Sequence, residues 1–485
     1  MRRLALILGD ALFEGLPGMP PDAEILMIED QELATRHRHH QQKVVLFFSA
    51  MRHFAAHLRD AGRRVHYLAW DRPNAAGLAE EIGRLLPDEV WIYEPNDPGT
   101  LFPPWFQRVP SPAFLTSELD WEDYAETTNR RKMADFYVWQ RQRLSILVDE
   151  KGQPEGGRWS FDVENRQFPP PGLRAEPPNW VEPDEITRQV IQLVQSEFSD
   201  HPGDASLFRY PVTHAQAEAW LDQFLSGRFA NFGPYEDAIV REQPVLFHSV
   251  LSPLLNTGLL TPGRVLQRVF EFARSNPVPM ASLEGFIRQL IGWREFVRGM
   301  DRDQFDLGFP LKILPGHHRI LRSCWWTGET GLPPLDDCIH RLWKTGYAHH
   351  IERLMVAGSA MLMARVDPRH GYQWFMEMFI DSADWVMRPN VYGMSLYADG
   401  GLWATKPYVS GSAYLLKMTD YPRGPWCEVW DGLYWSFVDR HADALAKNPR
   451  TSFWPKGLAR LQPARRERLF LEAEAFIEST TSAPD

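Results

Sequence analysis

Two adjacent histidines, His349 and His350, stand in the stretch TGYAHHIERLMVAG that runs from Thr345 to Gly358. Histidine is the side chain best placed to give or take a proton near neutral pH. Around the pair, Tyr347, Ile351, Leu354 and Gly358 recur at helical spacing and mark one apolar face. Thr345 offers a hydroxyl to cap the start of that helix. Consecutive helix residues lie about 100° apart, so a buried helix cannot leave both imidazoles fully solvated. On this segment alone the pair reads as two satisfied structural histidines; the rest of the chain turns it toward proton transfer.

Upstream, three stretches bring further polar groups. FANFGPYEDAIV carries Asn231, Gly233 and Asp237, and LFHSVLSPLLNTGLLTP carries His248, Ser249, Ser252 and Asn256. LEGFIRQLIGWREFVRG carries Glu284, Arg288, Gln289, Trp293 and Arg294. Small hydroxyls at a helix start hold phosphate through backbone N–H groups and the helix dipole. Arg288 and Arg294 add charge suited to a pyrophosphate, and Trp293 adds a stacking face.

These groups need a scaffold. The first 120 residues alternate short apolar runs (Leu4–Leu8, Ile25–Ile28, Val65–Trp70, Glu89–Tyr93, Ala113–Thr116) with helical patterns at Lys43–Ala61 and Ala75–Leu86. That alternation predicts an α/β domain, a doubly wound parallel sheet. Such sheets bind ligands beyond their strand ends, which singles out Gly9-Asp10 and Glu29-Asp30; no GxGxxG marks a dinucleotide site. A stretch rich in Gly and Pro follows, from about Asp149 to Pro183. Within it, Arg158, Trp159, Phe161 and Arg166 form an aromatic-basic island, either packed on the surface or reaching for a ligand or nucleic acid. From Glu185 onward the pattern is helical, with Ile186–Phe198, His214–Ser226, Leu283–Met300, Ile339–Leu362 and Arg465–Ile477 as examples, and it predicts one large all-α domain. The expected division is 1–125, a connecting region 126–184, and 185–485.

The net charge of −11 argues against a uniformly basic nucleic-acid binder but leaves room for one basic patch. Nineteen tryptophans suit core packing, chromophore stacking or electron transfer. Three cysteines, Cys324, Cys338 and Cys427, make neither a disulfide framework nor a metal-ligand spacing. The N-terminus reads as a strand rather than a signal peptide, and no apolar run reaches transmembrane length. A cytoplasmic, monomeric protein is expected.

In order and spacing these stretches resemble the photolyase/cryptochrome superfamily, and among its branches the bacterial (6-4) photolyases. HRHHQQKVVLFFSAMRHF (His37 to Phe54), GGRWSFDVENR (Gly156 to Arg166), YAHHIERLM (Tyr347 to Met355) and NVYGMSLYADGGLWATKPYVSGSAYL (Asn390 to Leu415) carry the resemblance. It implies FAD held in the helical domain by Tyr235, His248, Ser249, Ser252, Asn256, Glu284, Gln289, Trp293, Arg294, Asp381, Asp384 and Asn390. It implies a (6-4) lesion, flipped out of UV-damaged DNA, facing His349, His350 and Tyr408, with Asp237 nearby. Trp326 and Trp374 match the electron route to the flavin. A lumazine antenna is implied in the N-terminal domain, with Gly9, Asp10, Glu29 and Lys43 as candidates. Because the total charge is acidic, DNA affinity must come from local arginines, for which Arg158, Arg166 and Arg353 are the candidates. Retention of the histidines and Tyr408 favours repair over the alternative, a signalling photoreceptor.

Two departures stand out. This branch ordinarily holds a four-iron cluster on four cysteines, whereas this chain reads TGLPPL at Thr330–Leu335 and Pro422-Arg423-Gly424-Pro425 where a C-R-G-C element is familiar. Proline has no thiolate, so a cluster-free member with no metal ligands is expected. Phe375 follows Trp374 where a tyrosine is familiar.

Overall fold

The computed structural model describes residues 1–70, 77–97, 102–128, 131–304 and 309–484. Five strands form one sheet: β1 (Arg3–Leu6), β2 (Glu24–Ile28), β3 (Val65–Leu68), β4 (Glu89–Tyr93) and β5 (Gln107–Val109). All are parallel, in the order β3-β2-β1-β4-β5. β1 and β2 are nearly continuous apolar runs because both faces of a parallel sheet are covered. The strand order reverses beside β1, so the crevice beyond β1 and β4 is where such a fold takes a ligand. Helix Gln41–Asp60 packs on β3 and, on its far side, on helix Glu185–Glu197. The helix expected over Ala75–Leu86 runs Leu78–Leu85; residues 75 and 76 lie outside the described residues.

Ala113–Thr116, expected as the fifth strand, is not one. The N–H groups of Leu115 and Thr116 donate to the buried Glu295 carboxylate, and Arg294 donates to the Ala113 carbonyl at 2.7 Å. The segment is apolar because it is wedged against the helical half, not because it pairs in a sheet. The fifth strand is instead Gln107–Val109, whose first two residues are exposed.

From Glu185 the chain is predominantly helical, with one short antiparallel ribbon, Ile320–Leu321 against Thr481–Ser482, fastening the C-terminus. The single helix expected over Ile339–Leu362 is two. Helix Pro333–Thr345 stops at Gly346, whose φ of 64° suits glycine, and helical structure resumes at His350. Thr345 therefore closes the earlier helix rather than capping a new one: its hydroxyl donates to the Arg341 carbonyl at 2.8 Å. Three π-helical turns interrupt the α-helices of this half, at Arg288–Trp293, Glu352–Gly358 and Arg388–Ser395. The second and third pack on each other, and the third also packs on helix Arg294–Gln304. Helix Met133–Leu144, inside the expected connecting region, lies against the first of these turns.

Candidate functional site

Each π turn carries residues expected at the site: Gln289 and Trp293, then Arg353, then Asn390. A π turn inserts a residue and re-aims the side chains beside it, a device common at functional sites. The histidines sit just before the second turn. His349 is 4% exposed, and its ring stacks on His248 at 4.5 Å and 13°. Its Nε2 lies 3.6 Å from Glu352, which is itself ion-paired with Arg341. His350 is exposed as a residue although neighbouring side chains crowd its imidazole, and its ring lies 6.0 Å from Trp293. Enclosure, then the positive charge of Arg341, pushes His349 down to about 3; enclosure and Arg353 push His350 to about 4. Both imidazoles are therefore neutral at pH 7, each with one donor and one acceptor nitrogen.

Beside them Asp381 is the hub. It accepts from Ser252 Oγ at 2.5 Å and from both Arg353 nitrogens at 2.9 and 3.0 Å, while Asn256 donates to its carbonyl at 2.9 Å. Arg353, expected as a DNA contact, is instead half-buried and paired with Asp381, and lies over Phe379 at 4.2 Å. Three buried polar atoms here, His248 Nε2, His349 Nδ1 and Asn390 Oδ1, have no protein partner. Unpaired buried groups of this kind fit a polar heterocycle such as a flavin, because leaving them unmatched costs about 1–3 kcal/mol each. Tyr235 packs on Phe247, and the Ser249 carbonyl accepts from Trp220.

Neither arginine expected to meet a pyrophosphate is free. Arg294 lies over Phe114 at 4.1 Å and Trp385 at 4.9 Å, at the junction of the two halves. Arg288 is engaged by Glu284, Glu236 and Asp162. Asp384 likewise stands apart, accepting from Tyr372 and paired with Arg36 at 2.6 Å. Apart from Glu284, one helical turn before Arg288, these partners come from other segments, which spacing along a helix could not reveal.

A cavity of about 490 Å³ opens next to Trp293, lined by Tyr408, Trp403, Phe296, Met394 and Met300. Its mouth carries Arg131, Lys132 and Arg450, none of them singled out from sequence; isolated cations in a 485-residue chain give no pattern to find. Lys406 lies near Arg450 and Arg166, whose charges, after burial, lower its pKa. The cavity lining holds these three cations and no carboxylate on an acidic protein, while Asp303 pairs with Arg131 at 2.9 Å and Asp135 with Lys132 at 3.7 Å.

The aromatic-basic island is both packed and exposed. Phe161 is buried and its N–H donates to Glu284 at 2.8 Å, while Arg158 and Arg166 remain more than half exposed. Glu236, next to Asp237, accepts from Asn165 at 2.8 Å. Burial raises Glu236 to about 7 and Asp237 to about 6. These two carboxyls are the groups here that titrate near neutrality.

Trp374 is fully buried and its Nε1 donates to the Trp325 carbonyl at 2.7 Å; Trp326 is half-buried and donates to Glu377 at 3.0 Å. Trp374 contacts the rings of Phe375 at 5.1 Å and Phe379 at 5.8 Å, the latter being the one beneath Arg353.

A second cavity lies at the reversal point of the sheet, lined by Gly9, Asp10, Glu29 and Lys43 together with Asn96, Asp97 and Trp385. Asn96 from the β4 side donates to Asp10 from the β1 side at 2.9 Å. Lys43 donates to the Ser382 carbonyl at 2.7 Å, and burial lowers its pKa to about 8. Glu29 has the least left to offer a ligand, since Arg52, Tyr67 and the Trp70 N–H all engage its carboxylate.

Among the described residues, no three His, Cys, Asp or Glu side chains converge as a metal site. No helix is long and apolar enough to cross a membrane among those residues. The loops at Thr330 and Pro422 are held by protein groups: Asp336 accepts from Thr330 and Gly331, Asp337 from Tyr421 at 2.8 Å, and the Pro422 carbonyl from Trp426 at 3.1 Å.

Residues 5–210 match a family described as deoxyribodipyrimidine photo-lyase-related protein, and residues 284–408 match the FAD binding domain of DNA photolyase. A (6-4) photolyase of Agrobacterium fabrum is 34% identical, covering 98% of this chain and 99% of its own. Two solved structures share the fold. A bacterial class III photolyase from Agrobacterium tumefaciens is 18% identical with a TM-score of 0.56, over 99% of this chain and 98% of that one. A Synechocystis sp. PCC6803 cryptochrome is 13% identical with a TM-score of 0.52, over 98% of each chain. The chain belongs to the photolyase/cryptochrome superfamily, within its bacterial (6-4) photolyase branch.

Proposed function

We propose that this protein uses light and FAD to repair the (6-4) pyrimidine–pyrimidone photoproduct in UV-damaged DNA. The observation that carries the reading is His350, an exposed residue edge-on to Trp293, which lines a cavity that also carries Arg131, Lys132 and Arg450 although the whole chain is acidic. FAD, when bound, supplies the light-excited electron; His248, Asn390 and the Ser252–Asp381–Arg353 group would hold it. The protein's own work is to admit a flipped-out lesion, bounded by Trp293, Trp403 and Tyr408, and to exclude water from it. His350, neutral at pH 7, keeps an N–H for hydrogen bonding to the lesion, and His349 next to it is oriented by Glu352 and His248. Trp374 and Trp326 are read as the route by which the flavin is reduced. The sheet-end cavity is read as the antenna site, of lumazine type, with Asp10 and Lys43 as its polar contacts and Gly9 giving close approach. The loops fastened by Asp336, Asp337 and Trp426 support reading it as a cluster-free member of the branch, and it is read as a monomer in the cytoplasm.

The test is illumination of purified protein with oligonucleotides carrying either a (6-4) or a cyclobutane lesion. Repair of the (6-4) lesion alone is the expected result. A flavin-loaded protein that repairs neither is a photoreceptor, not a repair enzyme.

A further inference from the structure

Arg166 joins an exposed loop to the interior of the site. Its side chain is 60% exposed and bonded to Asp162, and its Nε lies 3.8 Å from the Asp237 carboxylate, which is only 20% exposed. Asp237 is held in place by its neighbours: Ala238 donates to the Tyr235 carbonyl and Ile239 to the Met418 carbonyl at 2.9 Å. The charged and titratable groups that face it come from four places. The loop contributes Arg166 and Asp162, the first π turn Arg288, its own segment Glu236, and helix Ser412–Met418 Tyr414. Arg288 is already shared among Glu284, Glu236 and Asp162. Four carboxyls thus depend on two guanidiniums, and one of the two, Arg166, lies near Lys406, which also feels the charge of Arg450 at the cavity mouth.

We infer that DNA binding loads a proton onto Asp237, because a backbone phosphate draws Arg166 away from it. The inference rests on the proposed DNA-binding function. A phosphate is an open competitor for an exposed guanidinium, whereas Asp237 is a partly buried one. Withdrawing a positive charge, and bringing a negative one close, both favour the neutral carboxyl. The proton comes from solvent and ends on the Asp237 carboxylate; no other bond changes. With Arg166 and Arg288 still beside it, burial and the Asp162 charge bring Asp237 to about 6, so losing Arg166 raises it further, across neutral pH. The linkage sign follows: the DNA-bound form holds more protons, so affinity weakens as pH rises from the free to the bound pKa, and is flat above both. DNA would thereby place a protonated carboxyl in the site alongside its two neutral histidines.

The experiment mixes the full-length, flavin-loaded protein with undamaged and (6-4)-bearing duplexes in weakly buffered solution containing a pH indicator, and measures affinity by anisotropy from pH 5.5 to 8.5. Wild type is expected to take up about half to one proton at pH 7 with either duplex at saturation, and to lose up to about tenfold in affinity per pH unit within the window. Asp237→Asn, an uncharged isostere, is expected to take up none and to bind with no such pH dependence. Arg166→Gln is expected to lose most of the uptake as well, because the carboxyl has already lost its partner. Binding without uptake, or uptake that survives in Asp237→Asn, overturns the inference and leaves the repair reading intact. Absence of DNA binding at every pH removes both.

Discussion

The imidazoles of His248 and His349 lie 4.5 Å apart and within 13° of parallel. Two rings stacked so closely cannot both carry charge, and burial already holds His248 well below its usual value and His349 at about 3. The folded state therefore binds fewer protons than the unfolded state once pH falls below about 6.5. Stability contributed by this pair is present above that pH and is lost as pH falls toward 3. Thermal melts from pH 7.5 to 4.5 should show a shallower decline for His349→Gln than for wild type. Parallel curves would mean that the stack titrates like free histidine.

His350 differs from its neighbour in being an exposed residue, and the two alanine variants should separate accordingly. Both His349→Ala and His350→Ala should lose about 100- to 10,000-fold in single-turnover repair of a (6-4) oligonucleotide, about 3 to 5 kcal/mol of barrier. His349→Ala should also lower the melting temperature, because it removes a buried ring; His350→Ala should not. His350→Asn keeps some hydrogen bonding but no useful acid, and should repair as poorly as the alanine variant. Near-wild-type repair by both alanine variants would take the histidines out of the mechanism.

Trp374→Phe keeps an aromatic ring but abandons the bond to the Trp325 carbonyl. Leaving that carbonyl unmatched should cost about 1–3 kcal/mol of stability. Flavin should remain bound, while light-driven reduction of oxidised FAD, followed by absorbance, should slow markedly. An unchanged rate would make Trp374 a packing residue only.

Arg353 and the arginine at the cavity mouth should behave in opposite ways. Arg353→Ala leaves Asp381 buried and unpaired, so a loss of about 3–5 kcal/mol in denaturant unfolding is expected. Arg450→Ala and Lys132→Ala should leave stability nearly unchanged. Each should weaken binding of damaged and undamaged duplex alike, and reduce the slope of log affinity against log salt by about one. An unaltered slope in both would place the DNA track elsewhere.

How much of this was readable beforehand depends on where each signal resides. Four strands were visible because a doubly covered sheet demands unbroken apolar runs, as in Glu89–Tyr93. The fifth was misplaced because Ala113–Thr116 is equally apolar for another reason, its N–H groups being bonded to Glu295 from a segment about 180 residues away. Gly346 announced a helix stop, yet helical periodicity continued across it and masked the break. Ser252, Asn256 and Asp381 were each identifiable by type, but their union through Arg353 is tertiary, and Arg353 looked like a surface cation for that reason. The basic mouth was invisible for the same cause: Arg131, Lys132 and Arg450 meet only in the folded chain.

The three π turns set a limit on how this chain can vary in length. A π turn holds one more residue than the α-helix around it, and each residue turns the helix by about 100°. Deleting a single residue, such as Gly292 within Arg288–Trp293, would let the backbone relax into a plain α-helix without breaking it. The fold would then survive with the helix face upstream of the gap rotated against the face downstream. Point substitutions at these turns test side chains, whereas one-residue deletions test phase: the helices would still pack, but Gln289 and Trp293 would no longer address the same space.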